Sequence, residues 1–201
     1  MSIQERKERE KEALRGKIME AASRILVREG YEGTTMRKVA AAIDYSPRTL
    51  YLYFRDKDSL LMEIVEEGFA ATIRHRESIL DRLDHSRPEQ IFGMQVAANI
   101  DLALQSPHMY RAIVYLIQHK GYPPGPFQRK VIEAIRYDIE LCHLHSRKPL
   151  EDAGMKTDLL LAFVRAFNLQ LIQRDRALSP RETERAKTQC LQMILKGILQ
   201  L

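Results

Sequence analysis

Apolar residues in this chain recur at intervals of three and four along nearly its whole length, and no strand-like alternation bounded by turn residues appears. Ile18, Ala21, Ala22, Ile25 and Leu26 fall at i, i+3, i+4, i+7 and i+8, which predicts a first helix that Gly30 stops. Thr35 then stands as an N-cap ahead of Met36, Val39, Ala40 and Ile43, a second helix of about two turns. After Ile43-Asp44-Tyr45, Ser46 can cap a third helix, and Pro47 suits its first position, where the missing N–H has no partner to lose. Two short helices joined by a tight turn behind a longer one outline a helix-turn-helix. A fourth helix is predicted from Lys57, with Asp56 as its cap and apolar positions continuing through Ile64, Phe69, Ile73 and Leu80. Breaks at "HSRPEQ", "QSPHMY", "GYPPGPF", "RKPLEDAG" and "LSPRET" divide the remainder into helices near 88–105, 107–120, 126–146, 155–177 and 180–200. The fold class is therefore all-α, about nine helices with a helix-turn-helix among the first three, and the length suits either one domain or a small one joined to a larger one.

The segment "SPRTLYLYFRDK", Ser46 to Lys57, carries more aromatic and hydroxyl groups than a core helix needs. On a wheel at about 100° per residue, Leu50 and Phe54 share the face that packs on the first two helices. Arg48, Thr49 and Leu52 point away, and Tyr51 and Tyr53 lie on the flanks. In a major groove about 12 Å wide, such a helix offers its outer residues to base edges and its flanking phenols to phosphates. The outward Leu52 has two readings, contact with a thymine methyl or packing on a neighbouring helix. Thr35 opens the second helix, whose N–H groups and positive dipole end suit a phosphate. Arg37 can reach a guanine by its bidentate fork or a phosphate, and Lys57 another phosphate. Tyrosine at the edge of a small core is also common, so the combination carries more weight than any one residue.

Charge sharpens the picture locally. The chain of 201 residues has a net charge of +5, which permits a nucleic-acid partner without requiring one. Between Thr34 and Lys57, however, five basic residues face only Asp44 and Asp56. The mixed run Glu5 to Lys17 nearly cancels and reads as a solvated face or a frayed helix start.

Residues 18–65, "IMEAASRILVREGYEGTTMRKVAAAIDYSPRTLYLYFRDKDSLLMEIV", resemble the N-terminal domain of TetR-family transcriptional regulators over about a quarter of the chain. The resemblance implies an all-helical homodimer with a small three-helix DNA-binding head over residues 1–58, a larger ligand-binding and dimerisation body over residues 59–201, and an effector that alters the spacing of the heads. It assigns DNA contacts to Thr35, Arg37, Pro47, Arg48, Thr49, Tyr51, Tyr53 and Lys57. Two departures stand out: Asp44 occupies a turn position where relatives carry glycine, and Arg48 is bulky where many have glycine. The first implies a left-handed residue strained by about 1 kcal/mol, and the second a change in the operator read.

The body carries no strong chemical signature. Leu159, Leu160, Phe163, Ala166, Phe167 and Leu171, then Ala186, Cys190, Met193, Ile194 and Ile198, form wide apolar stripes on the last two helices. Two-fold pairing would make a four-helix homodimer interface, while an intramolecular core is the plainer alternative. Candidates for a small-molecule effector pocket are Met94, Asn99, Tyr110, Tyr115, His119, Phe127, Tyr137, Phe163 and Asn168, a mostly apolar set with a few polar handles. Each taken alone fits ordinary core or surface better than a pocket. No cofactor is implied. His143 and His145 are two apart and diverge on a helix, so no metal site is predicted. Nucleophile elbows, glycine-rich phosphate loops and HExxH are absent, so no enzyme is predicted. Cys142 and Cys190 are isolated and read as buried thiols. With no membrane-length apolar run and a charged N-terminus, a cytoplasmic protein is expected. The competing reading is a helical protein-interaction module that does not read DNA sequence.

Overall fold

A computed structural model of the protein describes residues 2–80, 88–119, 121–173 and 177–201. Nine α-helices make up the described residues: α1 (Ile3–Gly33), α2 (Met36–Ala41), α3 (Pro47–Leu50), α4 (Lys57–Leu80), α5 (Pro88–Gln105), α6 (Pro107–His119), α7 (Pro126–Ser146), α8 (Ala153–Ile172) and α9 (Pro180–Met193). A π-helical segment, Ile194–Leu199, extends α9. The all-α expectation holds, with a helix-turn-helix near the N-terminus.

The chain forms two compact units. The first comprises residues 1–68 and 108–123, the second 69–107 and 124–201. Besides the three N-terminal helices, the first unit holds the start of α4 and most of α6, an element far away in sequence. The α4 helix runs from the first unit into the second.

In the first unit, α1 begins at Ile3, fifteen residues of mostly charged sequence ahead of Ile18, where the apolar pattern starts. Ser2 accepts from Glu5 N–H at 3.2 Å while the Glu5 carboxylate accepts from Ser2 N–H at 2.8 Å, a reciprocal cap that seeds the charged first turns. Gly30 breaks the helix at φ 72°, ψ −171°, a left-handed φ that glycine adopts without Cβ strain. The chain does not leave the helical path there; one more turn follows to Gly33, held by the Thr34 hydroxyl donating to the Gly30 carbonyl at 2.8 Å. The core collects Ile18, Ala21 and Ala22 from α1, Met36, Val39 and Ala40 from α2, then Leu50, Phe54 and Leu60.

The second unit packs α5, α7, α8 and α9 around Phe92, Val96, Ile100, Ile139, Cys142, Leu160, Val164, Leu171, Ala186, Cys190, Ile194 and Leu199. Its helices match the predicted segments, with α8 running Ala153–Ile172 and α9 giving way to the wider π turn after Met193. The orphan carbonyls at that C-terminus are met by lysines: Lys156 donates to Leu199 O at 3.1 Å and Lys148 to Gln200 O at 3.0 Å. Arg76 of α4 makes a two-pronged pair with Asp138 of α7, both N–O distances 2.6 Å, and Gln95 of α5 donates to the same carboxylate at 2.8 Å.

Candidate nucleic-acid interface

The helix-turn-helix is fixed by three local caps. Thr35 Oγ1 accepts from Lys38 N–H at 3.2 Å and Ser46 Oγ from Thr49 N–H at 3.1 Å. Asp56 accepts from Ser59 N–H at 2.7 Å while Ser59 Oγ accepts from Asp56 N–H at 3.1 Å. That backbone hydrogen bond, helped by the Ser59 hydroxyl and the Arg55 guanidinium, holds the Asp56 carboxyl below its ordinary range. Between the helices Asp44 sits at φ 59°, the left-handed conformation its position demands.

The segment 47–54 is shorter as an α-helix than its sequence pattern suggests. It is α-helical only over Pro47–Leu50. From there Leu52 N–H bonds Thr49 O at 3.1 Å and Tyr53 N–H bonds Leu50 O at 3.0 Å, the tighter i→i+3 pattern, before Phe54 N–H returns to Leu50 O at 3.0 Å. The tightening leaves the division of faces intact. Leu50 and Phe54 are buried at 0% and 2% exposure, whereas Leu52 is 78% and Tyr51 54% exposed. Pro47 and Arg48 are also exposed, and Thr49 and Tyr53 half-buried. Beneath the segment, the Arg15 guanidinium lies 5.3 Å over the Phe54 ring and pairs with Glu63, tying α1 to α4.

Electrostatics around this face are uneven. Lys38 is paired with Glu29, whose carboxyl is held below its usual range chiefly by that hydrogen bond, and Arg55 is paired with Asp56 at 2.9 Å. Arg37 and Arg48 are exposed and have no ion pair among the described residues. The Thr35 hydroxyl is exposed but already accepts the cap bond. Lys57 is differently placed from the rest: its ammonium donates to Tyr31 O at 3.1 Å and lies 3.7 Å from the centre of the Tyr31 ring.

That contact belongs to a cluster which sequence reasoning missed. The Tyr31 hydroxyl donates to Asp58 at 2.5 Å, and its ring meets Tyr115 of α6 with centroids 4.6 Å apart. One tyrosine at the end of α1 thus touches the start of α4 and the middle of α6. The partner ring is too distant in sequence for any local pattern to announce it.

The effector candidates divide between the units. Tyr110, buried, and Tyr115 lie in the first; the His119 side chain lies outside the described residues. In the second, Asn168 is fully buried and its amide donates to Asn99 Oδ1 at 2.7 Å, so these two are brought together. Phe163 stacks on Phe167 at 6.0 Å. Met94, Phe127 and Tyr137 are exposed on this chain, with Lys130 5.4 Å over the Phe127 ring. Among the described residues no group of His, Cys, Asp and Glu is placed to hold a metal ion, and no helix is long and apolar enough to cross a membrane.

Residues 18–64 match the family profile described as bacterial regulatory proteins, tetR family. An HTH-type transcriptional regulator of Haemophilus influenzae is 32% identical over 154 residues, covering 76% of this chain and 79% of the relative. The HTH-type transcriptional repressor NicS of Pseudomonas putida is 27% identical over 107 residues, covering 53% of this chain but only 50% of NicS; other curated relatives are covered over 41% and 29% of their length. Among solved structures, RolR in complex with resorcinol superposes with a TM-score of 0.67 at 17% identity, over 92% of this chain and 89% of RolR, a likeness of fold. With a matching head, the Haemophilus relative aligned through most of the body, and the helical architecture held in common, the chain belongs to the tetR family of bacterial regulatory proteins.

Proposed function

We propose that the protein is a transcriptional repressor that binds a pseudo-palindromic operator as a homodimer and is released by a small-molecule effector. One observation carries the DNA-binding part. The segment 47–54 buries Leu50 and Phe54 completely while presenting Arg48, Tyr51 and Leu52 to solvent, flanked by an unpaired Arg37. An exposed leucine and tyrosine beside two unpaired guanidinium groups is costly as mere surface, but fits a groove with base edges at its floor and phosphates on its walls. Thr35, Pro47, Thr49 and Tyr53 complete the contact set. Lys57 acts there only if it exchanges its intramolecular partner for a phosphate.

Dimerisation is supported by apolar side chains of α8 and α9 that their own core leaves uncovered: Met155, Leu159 and Met193 are more than half exposed. A two-fold pairing of these helices would bury them. For the effector, the body offers Asn99, Phe163 and Asn168 as candidates, and α4 is the element through which a change in the body would reach the head. A coupling of about 1–3 kcal/mol would suffice for release. RolR is a resorcinol-bound neighbour of the same fold, and at its level of identity the chemistry of the effector does not transfer.

Selection of bound sequences from a random duplex pool tests the reading. The expected product is an inverted repeat with half-site centres about 34–36 Å apart, dissociated by one member of a small-molecule panel. Failure to enrich any sequence, with weak and salt-insensitive binding, would refute it in favour of a protein-interaction module.

A further inference from the structure

Beside the segment 47–54, and sharing Tyr53 with it, the first unit carries an open groove of about 650 Å³ lined by Lys7, Glu10, Lys11, Lys17, Tyr45 and Tyr53. Three lysines face one acid, and that acid is turned elsewhere, since Glu10 accepts from Arg6 Nε at 2.9 Å. Lys7 and Lys17 have no ion pair among the described residues. Lys11 has only Glu8 at 3.8 Å, an exposed contact that contributes little. The run Glu5 to Lys17 is close to neutral in total, yet folding sorts it: Glu5, Glu8 and Glu12 are not among the groove residues. The helix that carries these lysines is itself an anomaly. Residues 4–13 of α1 are exposed throughout, an overhang of about 15 Å that buries no core. It is held only by the Ser2–Glu5 cap and weak surface pairs, so packing gives it no reason to exist.

We infer that this groove binds the sugar-phosphate backbone of the operator outside the base pairs met by the recognition segment, with Lys7, Lys11 and Lys17 as phosphate ligands. The inference rests on the DNA-binding reading above and extends its footprint. Two observations select this occupant. The groove is basic, and Tyr53 belongs both to its wall and to the proposed DNA-contact set, so the two are continuous. Tyr45, exposed at the turn, adds a second hydroxyl at the rim. Lys7 and Lys11 stand one helical turn apart, about 6 Å along the axis, so neighbouring phosphates can be met together. These contacts add affinity and register without reading sequence.

The test compares wild-type protein with the triple variant K7Q/K11Q/K17Q on the duplex enriched by the wild type and on an unrelated duplex of equal length, between 50 and 200 mM salt. Loss of even one phosphate contact per head, two per dimer, makes the log–log salt slope shallower by about 1.8, so the variant loses about twelvefold less affinity than the wild type across that range. The weakening is the same factor on both duplexes. Glu10→Gln, which removes the groove's negative charge, tightens binding. Trimming the base pairs outside the half-sites weakens the wild type but not the triple variant. An unchanged slope in a triple variant with wild-type thermal stability, or equal sensitivity of both proteins to trimming, overturns the groove while leaving the regulator intact. If the wild type enriches no duplex, the regulatory reading falls and this inference with it.

Discussion

Removing one partner of the Arg76–Asp138 pair is expected to destabilise the second unit far more than removing both. The side chains are 12% and 4% exposed, the guanidinium meets both carboxylate oxygens, and Gln95 supplies a further donor. At an effective dielectric of about 20, charges about 4 Å apart attract by about 4 kcal/mol. Mutational experience with broken buried pairs gives a similar loss, about 3–5 kcal/mol, mostly the cost of stranding the surviving charge. Arg76→Met therefore leaves a carboxylate with one neutral amide donor, and Asp138→Leu leaves a largely buried guanidinium without its carboxylate. Each single variant should lower Tm by about 6–20 °C, taking about 2–4 °C per kcal/mol for a chain of this size. Arg76→Met/Asp138→Leu should recover most of the loss, since two apolar side chains of similar volume bury without stranding a charge. Urea unfolding at fixed protein concentration, monitored by circular dichroism, yields the coupling energy of the cycle. Raising the salt should change little, because the pair is shielded from solvent ions. Single variants that each cost under about 1 kcal/mol, or a double variant as unstable as the sum of the singles, would refute the argument. The pair also pins α4 to α5 and α7, so variants that fold should bind the operator with altered release by effector.

Three further outcomes follow from particular residues. Asp44→Val, placing a branched side chain at φ 59°, should cost about 1–2 kcal/mol, while Asp44→Gly should be neutral or stabilising; equal stability of all three proteins in urea would mean the turn is not constrained. Burial pushes the Cys142 thiol up to about 12 and the Cys190 thiol up to about 11, so a chromogenic disulfide reagent at pH 8 should find neither until the chain unfolds, and then both; rapid reaction of the native protein would contradict their burial. His143 is held below the ordinary imidazole range, first by burial and then by the nearby Lys156 charge, so the unfolded chain binds the proton more readily than the folded one. The corresponding stability is present above about pH 6.5, the unfolded value, and is lost as pH falls from there toward the lower folded value. In His143→Gln that part of the pH dependence of Tm should vanish, and its persistence would assign it to another group.

What the sequence discloses is what neighbouring residues decide. Thr35, Ser46 and Asp56 are legible as caps because a cap is written within three residues. Leu50 and Phe54 are legible as the buried face because four residues return a helix, or a slightly tightened one, to the same side. The tightening at Leu52 and Tyr53 is not legible, since the α and i→i+3 patterns place the apolar pair almost alike. Gly30 announces a break but not the further turn to Gly33, which depends on the Thr34 hydroxyl. The Tyr31 cluster needs Tyr115 of α6, and the Arg76 pair needs a helix 62 residues further on. Such partners are chosen by packing, which no local periodicity encodes. The lysines of α1 look like a solvated run until folding sets Tyr45 and Tyr53 beside them.

Operator reading depends on the outward side of residues 47–53 touching bases. Titration of wild-type protein and Arg48→Ala against the selected operator and its single-base variants, at several salt concentrations, measures this directly. The prediction is a loss of about 1–3 kcal/mol of discrimination confined to one position in each half-site, with binding to unrelated duplex little changed. A variant that discriminates among the base changes as sharply as the wild type, with the same affinity for the operator, would contradict it.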